Sequence, residues 1–201
     1  MRLRLAARNG EALKELAARC GSLGGRTMVV PLDVSDEAAV RELARKTAEW
    51  FGRIDVWVNN ASVTAFGRLE ELPCEICRRI VEVNLLGYIH GARAVLPHFR
   101  EQGRGVLINV SSVVGKTGEA YTSVYSATKA GMIGLANSLR QELHHAPEIH
   151  VCTVLPASID TPIFQHGANY SGRQVKPLEP VYPPEQVAEA IFELTRRPQR
   201  E

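Results

Sequence analysis

Apolar positions along the chain alternate between two spacings. Leu3–Ala7 is a short run suited to a strand, after which Asn9 can cap a helix that carries Leu13, Leu16 and Ala17 at helical spacing. The glycines between Gly21 and Gly25 stop that helix, and Thr27–Leu32 is a second β-rich run. Asp33, Ser35 and Asp36 then introduce an amphipathic helix with Val40, Leu43, Ala44 and Thr47 on one side. A strand follows at Ile54–Asn59, then a loop to Leu72 and two helical stretches between Pro73 and Gln102. Gly105–Val110 is a strand apolar apart from Asn109 and closed by Ser111-Ser112, and Ser123–His145 reads as a helix. Ile149–Leu155 forms another strand that stops at Pro156; the segment from Ala157 to Pro183 is rich in Pro, Gly and polar residues and reads as a long loop; Pro184–Arg196 is a closing helix.

Strands with apolar residues at consecutive positions are buried on both faces, and their alternation with helices of ten or more residues implies right-handed crossovers. The pattern therefore predicts an α/β class with a doubly wound, Rossmann-like parallel sheet flanked by helices. The 45% hydrophobic content of 201 residues suffices for one core, so residues 1–201 are read as a single domain. A formal charge of +2, from 24 basic and 22 acidic residues with no block of like sign, gives no support to a nucleic-acid or membrane-surface partner. No apolar run approaches the roughly 18 to 20 residues that span a bilayer, and the N-terminus lacks the apolar stretch of a signal peptide. Cys20, Cys74, Cys77 and Cys152 are too scattered for a disulfide framework, which points to the cytoplasm. Cys74-Glu-Ile-Cys77 has zinc-like spacing but no second pair, and His144-His145 reads as charge at a helix end, so no metal is expected.

The chemistry concentrates at Tyr125-Ser-Ala-Thr-Lys129, because positions i and i+4 of a helix share one side. A phenol ionises near about pH 10, and a cation one turn away is expected to pull that value down toward neutrality. Thirteen residues upstream, Ser112 ends an apolar strand, where its hydroxyl can bond a carbonyl oxygen at the same sheet edge.

Asn59-Asn-Ala-Ser62, Asn84 in Val-Asn-Leu-Leu-Gly, Asn109-Val-Ser-Ser112 and Tyr125-Ser-Ala-Thr-Lys129, taken together in order and spacing, resemble the motifs of the short-chain dehydrogenase/reductase family. The resemblance implies a tetrad of Asn84, Ser112, Tyr125 and Lys129, with Tyr125 the proton donor or acceptor and Ser112 orienting the substrate oxygen. Lys129 is implied to hold the nicotinamide ribose, and Asn84 a water that relays protons. Further implied cofactor contacts are Asp33 and Val34 near the adenine, Asn60 and Ala61 beside the ribose, and Pro156 and Thr161 flanking the nicotinamide. Arg8, just past the first strand, stands where phosphate-preferring members carry a basic residue, with no carboxylate at that strand end, so NADP(H) is favoured over NAD(H). Substrates implied are small carbonyl or alcohol compounds. The segment His166–Pro183 resembles the family's mobile substrate loop, with Phe164, Tyr170 and Tyr182 as candidate lining. A homodimer or homotetramer through the helices of residues 73–102 and 123–145 is the family's habit.

The chain departs from that pattern in three places. No Gly-x-x-x-Gly-x-Gly segment follows a first strand, Ala157 replaces a usual glycine, and family members usually continue into one more strand after Glu201. Gly21-Ser-Leu-Gly-Gly25 follows a helix and reads as its stop; Gly115-Lys-Thr117 lacks the glycine that a phosphate loop requires five residues earlier. The expectation is a sheet lacking its first, central strand and its last one, with Met1 not the natural start. The alternative reading is a non-catalytic, cofactor-deficient remnant acting as an interaction or regulatory module.

Overall fold

A computed structural model describes all 201 residues. The order of elements is β1 (Arg2–Ala7), α1 (Gly10–Ser22), β2 (Arg26–Pro31), α2 (Glu37–Phe51), β3 (Val56–Asn59), β4 (Ala65–Phe66), α3 (Cys74–Val81), α4 (Gly87–Gln102), β5 (Gly105–Val110), α5 (Val114–Thr117), α6 (Ser123–Glu142), β6 (Ile149–Val154), β7 (Ser158–Ile159), α7 (Ile163–His166), β8 (Ala168–Asn169), β9 (Val181–Tyr182) and α8 (Pro184–Arg196). Asn9 and Asp36 cap α1 and α2 through side-chain bonds to the N–H groups of Ala12 and Ala39. Gly52 and Gly103 end α2 and α4 in the left-handed conformation.

Every strand ladder is parallel, the doubly wound α/β arrangement that the apolar runs imply. β1 pairs with β2, while β3, β5 and β6 form a separate three-stranded sheet in that order. No ladder joins β1 to β3, so each keeps an unpaired edge. The far edge of β6 carries no further strand, as expected; the chain's last residues lie along it, the Thr153 N–H donating to the Arg200 carbonyl at 3.0 Å. Arg140 fixes that tail by donating to the carbonyls of Val151 (2.8 Å) and Arg200 (2.6 Å).

β5 is buried along its whole length, and its alternate side chains serve two cores. Leu107 joins Val40 and Ala44 of α2, Val95 and Phe99 of α4, and Ala136 of α6. Val106 and Ile108 face the opposite side, with Cys152 of β6 and Ile191 and Leu194 of α8. This double coverage holds the C-terminal end of β5 in place, where Ser111 and Ser112 follow.

Gly91 lets α4 approach β3 closely. A Cβ there would overlap Asn59 Oδ1 and lie 2.8 Å from Trp57 Nε1, which itself donates to Asn59 Oδ1 at 2.8 Å. Gly91→Ala must push the helix off this hydrogen-bonded pair, so a loss of roughly 1–3 kcal/mol is expected, visible as a Tm about 5 °C lower. An unchanged thermal melt would show that the helix shifts without cost.

Candidate functional site

The helical pattern between residues 73 and 102 is one rod with a fault in it. α3 runs into a π-helical turn, Glu82–Leu86, before α4 begins. Such wide turns are frequent at functional sites, and periodicity alone gives no sign of one. Asn84 sits inside this turn, fully buried. Its Oδ1 accepts the Val63 N–H at 2.8 Å, and its Nδ2 donates to the Val63 carbonyl at 2.8 Å and to Thr128 Oγ1 on α6 at 3.3 Å. The amide thus clamps the loop after β3 and ties it to the helix that carries Tyr125.

Beyond β5, the chain is stitched to the segment after β6. The Ser111 N–H donates to Val154 O at 2.8 Å, the Val113 N–H to Pro156 O at 3.1 Å, and Ser112 Oγ to Pro156 O at 3.2 Å. Gly115 brings α5 against α6: a Cβ would stand 2.8 Å from the Lys129 carbonyl carbon. Just before α6, Tyr121 holds a left-handed φ of 64°, uncommon for a residue other than glycine, while its carbonyl accepts the Gly67 N–H at 3.0 Å. These ties bring Ser62, Ser112, Tyr125 and Lys129 together from three segments.

Lys129 is buried, and its ammonium donates to the Val110 carbonyl at 2.9 Å, the same oxygen that the Tyr88 hydroxyl bonds at 2.9 Å. Its Nζ stands 5.3 Å from the ring centroid of Tyr125 and 5.6 Å from that of Tyr88. Burial of the charged form brings the Lys129 amine down from the usual 10.5 to about 7.

The phenol of Tyr125 moves the opposite way to the sequence-based expectation. Burial, which disfavours the phenolate, lifts it to about 12. The Ser62 hydroxyl pulls it down, the charge of Glu119 pushes it up, and the Ser112 hydroxyl pulls it down, in that order of size. Lys129 does not lower it here: the ammonium lies over the ring and is spent on a backbone carbonyl. The sequence showed the cation one turn away but could not show the desolvation that outweighs it.

Two further residues, to which the motifs assign no role, belong to the site. Tyr88, four residues after Asn84 and so on the same helical side, is buried under Lys129, and burial raises its phenol above the ordinary range. Ser62 Oγ is buried and has no hydrogen-bond partner at rest, although it lies against the Tyr125 phenol. Its place in Asn59-Asn-Ala-Ser62 was the available signal.

The remaining candidates line the C-terminal ends of the parallel strands. Arg8 is exposed after β1 and forms no salt bridge. Asp33, after β2, accepts the Ser35 N–H and hydroxyl on Oδ1 and pairs with Arg79 through Oδ2, contacts that hold its carboxyl below the usual range despite some burial. Val34 packs against Gly87 at the start of α4. Asn60 is exposed and Ala61 half-buried after β3; Pro156 and Thr161 are half-buried after β6. The segment read as a loop contains β7, β8, β9 and α7. Phe66 of β4 stacks on Phe164 at 6.2 Å, and its carbonyl accepts the Tyr170 N–H at 2.7 Å, whereas Tyr182 projects half-exposed from β9. The four cysteines are free, no cluster of three or more His, Cys, Asp or Glu could hold a metal ion, and no helix is long and apolar enough to cross a membrane.

Comparison with known proteins identifies the family. The short chain dehydrogenase family model matches residues 1–169. The chain is 38% identical over 200 residues to the uncharacterized oxidoreductase YxnA of Bacillus subtilis, covering 98% of this chain and 56% of that protein. It is 38% identical over 157 residues to 2-dehydro-3-deoxy-L-rhamnonate dehydrogenase (NAD(+)) of a Sphingomonas species, covering 78% of this chain and 61% of that protein. The chain therefore spans less than two thirds of the length of these two curated relatives. The X-ray structure of an alcohol dehydrogenase from the archaeon Thermococcus sibiricus, complexed with 5-hydroxy-NADP, superposes with a TM-score of 0.82 at 30% identity, over 99% of this chain and 82% of that one. With the ordered motifs, the parallel fold and these matches in agreement, the chain belongs to the short-chain dehydrogenase/reductase family.

Proposed function

We propose that the protein is a nicotinamide-dependent oxidoreductase that interconverts a small carbonyl compound and its alcohol, with Asn84, Ser112, Tyr125 and Lys129 as its working residues. One observation carries the reading: the Tyr125 phenol, the Ser112 hydroxyl and the buried Lys129 amine converge beside the end of β5, the hydroxyl held by the Pro156 carbonyl and the amine by that of Val110. The buried amine of Lys129 and the half-buried Pro156 fit the nicotinamide end of the cofactor, with Thr161 beyond it. Asp33, Val34, Asn60 and Ala61 lie along the strand ends where its adenosine part would run. When bound, the nicotinamide supplies or accepts the hydride. Ser112 orients the substrate oxygen, and Tyr125, protonated at neutral pH, gives that oxygen a proton as the carbonyl carbon is reduced, or takes it back in the reverse direction. Lys129 binds the ribose and, with an amine poised near neutrality, can pass protons onward; Asn84 holds the loop and helix that frame the relay.

NADP(H) is proposed over NAD(H) because Arg8 is exposed at the end of β1 with no acidic partner, ready for a 2′-phosphate. Assembly as a homodimer or homotetramer would cover Val81 and Leu86, apolar side chains exposed on the α3–α4 rod. Free cysteines accord with a cytoplasmic setting. The deciding experiment titrates the purified protein with NADPH and with NADH by nicotinamide fluorescence, then follows cofactor oxidation against a panel of ketones and aldehydes. Tighter binding of NADPH with carbonyl-dependent oxidation is the expected result. Binding of neither cofactor overturns the oxidoreductase reading for this chain and favours a non-catalytic interaction module.

A further inference from the structure

We propose that Ser62 is a positioning residue for Tyr125, its hydroxyl donating a hydrogen bond to the phenolic oxygen when that oxygen carries negative charge. The inference rests on the proposed role of Tyr125. In carbonyl reduction the hydride, which a bound nicotinamide would supply, forms a C–H bond at the carbonyl carbon as the π pair of the C=O bond moves to oxygen; the Tyr125 O–H bond breaks, and its proton goes to that oxygen. The phenol is left as phenolate, inside a site whose burial penalises that form. Some donor must meet it.

The donors around the phenol can be accounted for one by one. Lys129 Nζ donates to the Val110 carbonyl and faces the Tyr125 ring rather than its edge. Tyr88, reaching in from α4, spends its hydroxyl on the same carbonyl. Ser112 donates to Pro156 O and is reserved for the substrate oxygen. Glu119, in the turn before α6, brings only negative charge. Ser62 alone keeps its donor unspent: Oγ is buried without a partner and lies against the phenol.

Its position is also fixed. The next residue, Val63, is held at both its N–H and its carbonyl by the Asn84 amide, which in turn touches Thr128 on the helix of Tyr125. The Asn84 clamp therefore sets the distance between Ser62 and the phenol. A buried hydroxyl with no partner costs stability, and a group used only when charge develops explains why it is tolerated.

The test replaces Tyr125 with 3,5-difluorotyrosine, whose fluorines bring ionisation of the ring into the pH range where the fold holds, and follows its ¹⁹F chemical shift against pH. Ser62→Ala and Ser62→Gly are expected to raise the midpoint by about one pH unit, the size of one lost charge-assisted hydrogen bond. Ser62→Thr, which keeps the hydroxyl, returns it toward the parent value. A midpoint unmoved in both Ser62→Ala and Ser62→Gly overturns the inference and leaves Ser62 a small loop residue. The titration needs neither cofactor nor turnover. A shifted midpoint in a protein that reduces no carbonyl would sink the oxidoreductase reading while keeping the contact; an active protein with an unmoved midpoint would sink the Ser62 role alone.

Discussion

Tyr125→Phe is expected to lower carbonyl-dependent cofactor oxidation by about 10²–10⁴-fold while leaving the fold and cofactor affinity nearly unchanged. The phenolic oxygen meets the hydroxyls of Ser62 and Ser112, small groups of the site itself, so its removal takes away a proton and little of the packing. The ring stays, and with it the packing beside Lys129, whose Nζ lies over the face rather than at the hydroxyl. Because burial holds the phenol to about 12, it is the protonated acid throughout the neutral range, and reduction should show no loss of rate from Tyr125 ionisation between pH 6 and pH 9. Parallel measurements of turnover, nicotinamide fluorescence and thermal melting separate the possibilities. A fall in turnover of less than about tenfold would mean that another group, Ser112 or Ser62, delivers the proton, since general acid catalysis is ordinarily worth more than that. A collapse of the melt would mean that the residue is structural.

How far this site could be read without coordinates depends on which forces act locally. The buried strand β5 and the helix of Tyr125 and Lys129 were legible because an apolar run and an i, i+4 spacing each imply their geometry directly. The π-helical turn at Asn84 was not: its residues read as ordinary helix, and the widening becomes visible only when the clamp on Val63 is seen. β4 and β8 pair over two residues about a hundred positions apart, a ladder too short and too distant for any periodicity, so residues 157–183 read as loop throughout. The ionisation of Tyr125 failed for a related reason. A sequence shows which charge is one turn away, but desolvation is set by everything packed around the group, including Tyr88 from a helix nearly forty residues earlier.

The stability of the protein is expected to rise with pH above neutrality, and Lys129→Met is expected to remove that rise. In the folded state the Lys129 amine loses its proton near pH 7; in the unfolded chain it keeps it to about 10.5. Between those values the unfolded state binds more protons, so raising the pH favours the fold by roughly 1.4 kcal/mol per unit while the difference lasts. Below pH 7 both states are protonated and the full cost of burying the cation is present; above about 10.5 neither is, and the cost is gone. Tyr125 acts in the other sense, since its raised value gives stability that is complete below about pH 10 and lost as pH climbs toward 12, and burial pushes the Cys152 thiol up as well; both are shared by the variant, so the difference between the parent and Lys129→Met isolates the lysine. Urea unfolding at pH 6, 7, 8 and 9 should therefore show the parent gaining on Lys129→Met by about 2–3 kcal/mol between pH 7 and pH 9. A constant difference across the series would show that the amine stays charged in the fold. The expected slope has a functional meaning: an aliphatic replacement that is more stable at pH 6 implies that the protein keeps a costly buried amine for what it does to bound ligand and proton, not for what it adds to the fold.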